Sequence, residues 1–126
     1  MKLKALLLIA GLFILVYITF RTYRILNIDQ GLDTMVKNGA VILDVRTAAE
    51  YKMGHIKNSV NIPLSQLRSD SLPFEKNSKI ITCCSHGLRS VKAVTILREK
   101  GFKHSYNGGA LSDLEQYLTT NTAGND

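Results

Sequence analysis

Cysteine is scarce in this sequence, and the placement of its two cysteines excludes a disulfide framework. The chain has 126 residues, and its cysteines are neighbours, Cys83 and Cys84. Because adjacent cysteines cannot join distant parts of a fold, we expect no structural disulfide and at least one free thiol. No other histidine or cysteine stands at ligand spacing to His55, so the sequence predicts no metal site. We also expect no cofactor.

Charge is absent from one long segment near the start of the chain. Residues 5–20 contain no charged side chain, and nearly all of them are apolar. As a helix, this segment would reach roughly 24 Å, slightly less than a hydrocarbon core of about 30 Å. Lys4 and Arg21 flank it and can extend their charges to the lipid headgroups. The sequence therefore predicts a signal-anchor helix over 5–20, within a single-pass membrane anchor formed by residues 1–24.

A cleaved signal peptide is the main alternative to this anchor. Lys2 and Lys4 suit its basic region, but residues 19–23 lack the small-x-small pattern of a cleavage site, so we prefer an uncleaved helix. A core helix is disfavoured, because a helix that is apolar on every side needs a larger protein around it. Lys2 and Lys4 favour a domain outside the cytoplasm, whereas Arg21 and Arg24 favour the opposite orientation.

The excess of positive charge has the same origin. The formal net charge is +6, and the four basic residues that flank the apolar segment, Lys2, Lys4, Arg21 and Arg24, supply most of it. This location is typical of a membrane-flanking sequence. We therefore expect no nucleic-acid partner.

Short apolar segments alternate with segments of helical spacing, and the sequence has no internal repeat and no low-complexity stretch. This alternation predicts an α/β fold, a parallel sheet with helices on both faces, preceded by one transmembrane helix. The predicted strands are residues 41–45, 60–62, 79–83 and 104–106. The predicted helices lie within 28–36, 47–54, 91–101 and 111–118, and Gly108-Gly109 is predicted to form a turn. The folded domain is predicted to span 25–118, before a polar tail at 119–126.

Cys84 begins a predicted loop at the carboxyl edge of this sheet, where parallel α/β folds place their chemistry. A cysteine is an effective nucleophile only as a thiolate. The backbone N–H groups of a tight loop containing Gly87, the amino end of a helix that begins near Ser90 and the charge of Arg89 would each favour a thiolate. Such a thiolate can attack a sulfane sulfur and carry it as a persulfide.

Several motifs of this sequence resemble those of the rhodanese family and occur in the same order along the chain. The segment from Cys84 to Ser90 is similar to its active-site loop, Cys-x-x-Gly-x-Arg-Ser. The amino-terminal signature of the family resembles Asp44-Val45-Arg46, Glu50-Tyr51, Gly54-His55-Ile56 and Asn61-Ile62-Pro63, and its carboxyl-terminal turn resembles Gly108-Gly109. The resemblance covers residues 28–118. The sequence departs from the family at Asp113, where a tryptophan is frequent and this chain has none.

The resemblance implies a single-domain, rhodanese-like sulfurtransferase. It would move sulfane sulfur from a donor such as thiosulfate to a thiol or cyanide, with a protein as a further conceivable acceptor. Cys84 would carry the persulfide, with Arg89 as the second catalytic residue. The remaining residues of the substrate-binding loop would be Ser85, His86, Gly87, Leu88 and Ser90. Asp44, Arg46 and His55 would be framework residues near the site.

Two other functions fit parts of the pattern. Counted from Cys83, the spacing to Arg89 is the Cys-x5-Arg of cysteine phosphatases, but those enzymes carry a histidine where this chain has Thr82. Gly87 matches the spacing from Cys84 instead, and a shorter loop suits one sulfur atom better than a phosphate. The non-enzymatic alternative is a catalytically silent rhodanese-like module that binds a partner at the membrane.

Some of these side chains also have purely structural interpretations. We expect Cys83 to point into the core and His55 to make a structural hydrogen bond. His86 either contacts substrate or is a solvated loop side chain. Arg89 either stabilises the sulfur or pairs with a carboxylate.

Overall fold

The computed structural model describes residues 1–26, 28–69 and 71–123 of the chain. Its centre is a four-stranded sheet in the order β2-β1-β3-β4, and each neighbouring pair of strands is parallel. The strands are β1 Val41–Asp44, β2 Val60–Asn61, β3 Ile80–Cys84 and β4 Ser105–Ala110. The helices are α1 Lys2–Leu26, α2 Leu32–Lys37, α3 Ala48–Lys52, α4 Leu88–Glu99 and α5 Leu111–Ala123.

The sheet is covered on both faces, as the alternation of strands and helices predicts. Successive side chains of a strand point to opposite faces. In β3, Ile80 packs with Leu97 of α4 in one apolar cluster, whereas Ile81 packs with Leu32 of α2 and Leu114 of α5 in another. Because both faces are buried, the central strands are mostly apolar. This explains why β1 and β3 can be located from the sequence to within a residue.

The predicted turn at Gly108-Gly109 is wrong, since both glycines lie inside β4. Thr82 pairs with Asn107 and Cys84 with Ala110, so β4 has one extra residue at this point, which is a β-bulge. Gly109 has a positive φ of 74°. A Cβ on Gly108 would lie 2.8 Å from the carbonyl oxygen of Thr82. The glycines are therefore needed for close approach within the sheet and not for reversing the chain.

Two other boundaries differ from those predicted. Helix α4 begins at Leu88, and Cys84 is the last residue of β3 instead of the first residue of the loop. Helix α5 continues to Ala123, so most of the predicted polar tail is helical. The hydroxyls of Thr119 and Thr120 each donate to a backbone carbonyl of the preceding turn, which gives these polar side chains partners within the helix. Residues 124–126 of the predicted tail lie outside the described part of the chain.

Helix α1 carries the apolar segment and stands apart from the core. Lys2–Tyr23 has a mean hydropathy of 2.4 and is long and apolar enough to cross a membrane, as a signal sequence would also be. None of this span is buried within the protein, which disagrees with a core helix. The helix continues to Leu26, two residues beyond the predicted end of the anchor.

Candidate active site

Cys84 lies at the carboxyl end of β3, and its sulfur is surrounded by backbone donors. The backbone N–H of Gly87 donates to Sγ at 3.1 Å, and that of Ser90 donates at 3.4 Å. Gly87 has a φ of 93°, a conformation that glycine adopts without strain and that folds the loop back over the sulfur. The side chain of Cys84 is 1 % exposed. Converging N–H groups of this kind can stabilise a negative charge on sulfur.

Ser90 ties the loop to the neighbouring strand. Its hydroxyl lies 2.8 Å from the carbonyl oxygen of Gly87 and 2.7 Å from Oδ1 of Asn107. Its own carbonyl accepts a hydrogen bond from Thr82. Ser90 is fully buried, so it holds the loop in place and does not face substrate. Asn107, which the sequence did not single out, also accepts from the N–H of Gly109 in the bulge.

Arg89 pairs with a carboxylate, which is the structural interpretation open to it from the sequence. Its Nη1 donates to Oε2 of Glu50 at 2.9 Å and its Nη2 to Oε1 at 2.8 Å. Nη2 also donates to the hydroxyl of Ser85, which in turn donates to Glu50. The pKa of Arg89 is raised chiefly by its hydrogen bonds to Glu50, with smaller contributions that include the charge of Cys84. The carboxylate of Glu50 therefore compensates the charge of the guanidinium.

Glu50 is the site residue that sequence reasoning missed. The predicted capping box is present, because Thr47 and Glu50 exchange hydrogen bonds at the start of α3. The same carboxylate reaches across to the loop and accepts from Arg89. This ion pair, followed by the backbone N–H of Thr47, holds the pKa of Glu50 far below its usual range. The only feature of the sequence that could have indicated this role is that Glu50 belongs to the amino-terminal signature motif.

Asp44, Arg46 and His55 are not among the residues that donate to the sulfur of Cys84. Asp44 is fully buried, and Arg46 donates to both of its carboxylate oxygens and to the carbonyl of Gly54. Nδ1 of His55 lies 2.9 Å from the carbonyl oxygen of Tyr51, and the two rings stack at 3.8 Å. These contacts fix residues 44–56, which carry Glu50, beside the loop.

Two residues of the loop remain open to solvent. His86 is exposed, and the side chain of Leu88 is 66 % exposed. Both line a cleft beside the loop, together with Gly87. His86 is thus placed where it could contact a substrate, although it is also solvated.

Cys83 faces the opposite side of the sheet from Cys84. Its side chain is fully buried in the apolar cluster beneath α2 and α5, and burial raises the pKa of its thiol strongly. A thiol in this environment is inert as a nucleophile. Among the residues that the structure describes, no group of three or more His, Cys, Asp or Glu could hold a metal ion.

Comparison with known proteins identifies a family and several similar proteins. A family model described as "Rhodanese-like domain" matches residues 29–112. The tRNA sulfurtransferase of Thermoplasma acidophilum is 33% identical over 101 residues, which are 79% of this chain and 20% of that protein. The tRNA uridine(34) hydroxylase of Buchnera aphidicola subsp. Baizongia pistaciae is 34% identical over 82 residues, 60% of this chain and 26% of that protein. The chain thus spans about a quarter or less of the length of these two relatives.

Shorter relatives are covered more completely. Thiosulfate sulfurtransferase PspE of Escherichia coli (strain K12) is 33% identical over 75 residues, which are 57% of this chain and 71% of that protein. The solved structure of the human single-domain sulfurtransferase TSTD1 has a TM-score of 0.61 and 25% identity, covering 68% of this chain and 89% of that one. A structure described as rhodanese with anions from E. coli has a TM-score of 0.55 and 32% identity, covering 60% of this chain and 91% of that one.

Proposed function

The chain belongs to the rhodanese-like domain family, and from this premise we propose that it is a sulfurtransferase that carries sulfane sulfur on Cys84. The observation that supports this most is the hydrogen bonding of Sγ. Two backbone N–H groups, of Gly87 and Ser90, point at the sulfur from a loop that Ser90 holds closed. Donors fixed in advance around a sulfur atom favour its charged form without reorganisation during the reaction.

In the first half-reaction the thiolate of Cys84 attacks the outer sulfur of a donor such as thiosulfate. A bond forms between Sγ and that sulfur, and the bond to the sulfonate sulfur breaks. Sulfite leaves with the electron pair, so the enzyme holds a persulfide and no external oxidant or reductant is needed. This is covalent nucleophilic catalysis, which divides the transfer into two steps and gives ping-pong kinetics.

In the second half-reaction a thiophilic acceptor attacks the terminal sulfur of the persulfide. With cyanide the product is thiocyanate, and with a thiolate it is a new persulfide. The bond between the two sulfurs of the enzyme breaks, and its electron pair restores the thiolate of Cys84. We expect a small thiol or a protein thiol to be the acceptor in the cell.

Arg89 and Ser85 act together in this scheme through Glu50. The carboxylate accepts from both side chains, so it fixes the orientation of the guanidinium beside the loop. We assign Arg89 the stabilisation of charge on the transferred sulfur, moderated by Glu50, and we assign Glu50 a positioning role. The exposed side chains of His86 and Leu88 are the parts of the loop available to substrate.

We further propose that α1 anchors the domain of residues 25–118 to a membrane. The fully exposed, apolar surface of Lys2–Tyr23 supports this location, because an apolar helix of this length is poorly accommodated in water. The basic residues at its start favour a domain outside the cytoplasm.

The surroundings of the two cysteines favour sulfur transfer over the two alternatives, a cysteine phosphatase and a catalytically silent module. A phosphatase counted from Cys83 would need a thiol that is fully buried on the other face of the sheet. A silent module would have no need for the donors around Cys84.

The test is turnover of thiosulfate and cyanide to thiocyanate by the full chain and two serine variants. Cys84→Ser should abolish turnover, because a hydroxyl is almost never ionised near neutral pH. Cys83→Ser should retain most of it and is the matched control. Thiocyanate production by Cys84→Ser at the original rate would refute the proposal.

A further inference from the structure

An apolar cleft lies beside the loop of Cys84, where the end of α1 meets the first turn of α4 and the end of β4. Its apolar lining residues include Phe20, Tyr23, Leu88, Val91 and Ala110. Ala110 is the partner of Cys84 in the pairing of β4 with β3. Gly87, whose N–H donates to Sγ, also lines the cleft. The cleft therefore adjoins the loop that surrounds the sulfur of Cys84 and continues to the helix that precedes the domain.

The walls of this cleft are exposed to an unusual degree for apolar side chains. Leu88 is 66% exposed and Val91 41%, and they lie on the same face of α4, three residues apart. Beyond residue 26, the only other large apolar side chain with comparable exposure in the described part of the chain is Met53. Phe20 and Tyr23 are 42% and 53% exposed on the opposite wall. An apolar group placed between these walls would contact Leu88 and Val91 on one side and Phe20 and Tyr23 on the other.

The charges near the nucleophile favour a substrate of low charge. Arg89 and Arg46 are the arginines of the two signature motifs, and each is bound by a carboxylate through paired hydrogen bonds. Sites for doubly charged anions commonly present cations that the anion itself can pair with. With Glu50 and Asp44 in place, neither guanidinium offers its full charge to a dianion such as thiosulfate.

From these observations we infer that the cleft binds the apolar organic group of the sulfur donor, so that an organic sulfane donor with a large apolar group is preferred over one with a small group. This inference rests on the sulfur transfer proposed above and adds the substrate class. For a thiosulfonate donor, the thiolate of Cys84 attacks the outer sulfur and the Sγ–S bond forms. The sulfur–sulfur bond of the donor breaks, and the organic sulfinate leaves with the electron pair. The organic group rests against Leu88 and Val91 on one side and against Phe20 and Tyr23 on the other.

The experiment compares two donors of equal charge and different apolar size, benzenethiosulfonate and methanethiosulfonate, on the full chain in one fixed detergent. The readout is the ratio of their kcat/KM values for loading sulfur on Cys84, divided by the same ratio for a free thiol in solution. This division removes the difference in leaving-group reactivity. Because burial of even a few methylene equivalents is worth about a factor of ten, we expect the corrected ratio to be about ten or more.

Substitutions in the walls of the cleft test whether the preference for the larger apolar donor arises there. Tyr23→Ala and Val91→Ala should each lower the corrected ratio by about three- to tenfold, since each removes apolar surface from one wall. Tyr17→Ala is the matched control, because Tyr17 is also a tyrosine exposed on α1 but does not line the cleft. Its ratio should equal that of the unmodified chain.

A corrected ratio near one, or a ratio that neither Tyr23→Ala nor Val91→Ala lowers, would overturn the assignment of the cleft while leaving sulfur transfer intact. A fall of the same size in Tyr17→Ala would overturn it as well, because the effect would then belong to the helix in general. Failure of thiosulfate and both thiosulfonates to load Cys84 would instead overturn the proposed function, and the substrate class with it.

Discussion

Replacing Glu50 with glutamine removes one negative charge from the site while keeping the shape of the side chain. The carboxylate accepts hydrogen bonds from Arg89, Ser85 and Thr47. An amide can keep some of the Thr47 contacts but loses the charge that holds the guanidinium. The two side chains of the ion pair are 34% and 35% exposed, so solvent screens the pair and its contribution to stability is about 0.5–1 kcal/mol. The weakened capping box adds about 0.5–1 kcal/mol.

The expected loss in the free energy of unfolding is therefore about 1–2 kcal/mol for Glu50→Gln. For a domain of this size, that corresponds to a decrease in Tm of roughly 4–12 °C. Because the chain has no tryptophan, unfolding is best followed by the near-ultraviolet circular dichroism of its tyrosines. Glu99→Gln is the matched control, since Glu99 pairs with Arg68 on the surface, where both side chains are more than half exposed. Its Tm should change by no more than a degree or two, because such pairs contribute little.

The pH dependence of this difference follows from the lowered pKa of Glu50. A carboxyl whose pKa is lower in the folded state binds fewer protons there than in the unfolded chain. Its stabilisation is complete above the ordinary carboxyl pKa and is lost progressively as the pH falls through the lowered one. The difference in stability between the unmodified chain and Glu50→Gln should be constant from about pH 6 to 8 and should shrink below about pH 4. A difference that is absent at pH 7, or that grows in acid, would refute the assigned role of Glu50.

Three further predictions concern the bulge and the first helix. Gly108→Ala should lower stability by about 1–3 kcal/mol, because its Cβ would meet the carbonyl of Thr82 at 2.8 Å, whereas Gly11→Ala, with no atom within 4 Å of its Cβ, should not; equal midpoints in urea would contradict this. The full chain should stay with membranes through carbonate extraction, and a soluble protein lacking about twenty amino-terminal residues would establish cleavage instead. A chain that begins at Ile25 should be soluble and folded, and its aggregation, relieved only by restoring residues 1–24, would contradict the predicted boundary.

Local chemistry explains the parts of the fold that the sequence predicts well. Strands β1 and β3 are short apolar runs buried on both faces, and this burial leaves a clear signal in composition. The capping box at Thr47 and Glu50 involves residues three apart, so its partners are visible in the sequence. The loop after Cys84 is also local, since the donors to Sγ come from Gly87 and Ser90 of the same segment.

The errors arise where a distant segment determines the structure. Gly108-Gly109 has the composition of a turn, but the close approach of Thr82 and the bulge place it within a strand. The sequence leaves open whether Arg89 acts on sulfur or pairs with a carboxylate for the same reason, since its partner Glu50 lies 39 residues earlier in the chain. The apolar cleft combines α1 with the loop. Spacing within one segment cannot predict these contacts.

The central claim, that Cys84 carries the transferred sulfur, is tested most directly by intact mass spectrometry. The purified full chain, the Cys83→Ser variant and the Cys84→Ser variant are each treated with thiosulfate and freed of excess donor before measurement. If Cys84 carries the sulfur, the full chain and Cys83→Ser should each gain the mass of one sulfur atom, which cyanide then removes, and Cys84→Ser should gain none. A cyanide-removable sulfur on Cys84→Ser, or none on the full chain, would contradict it.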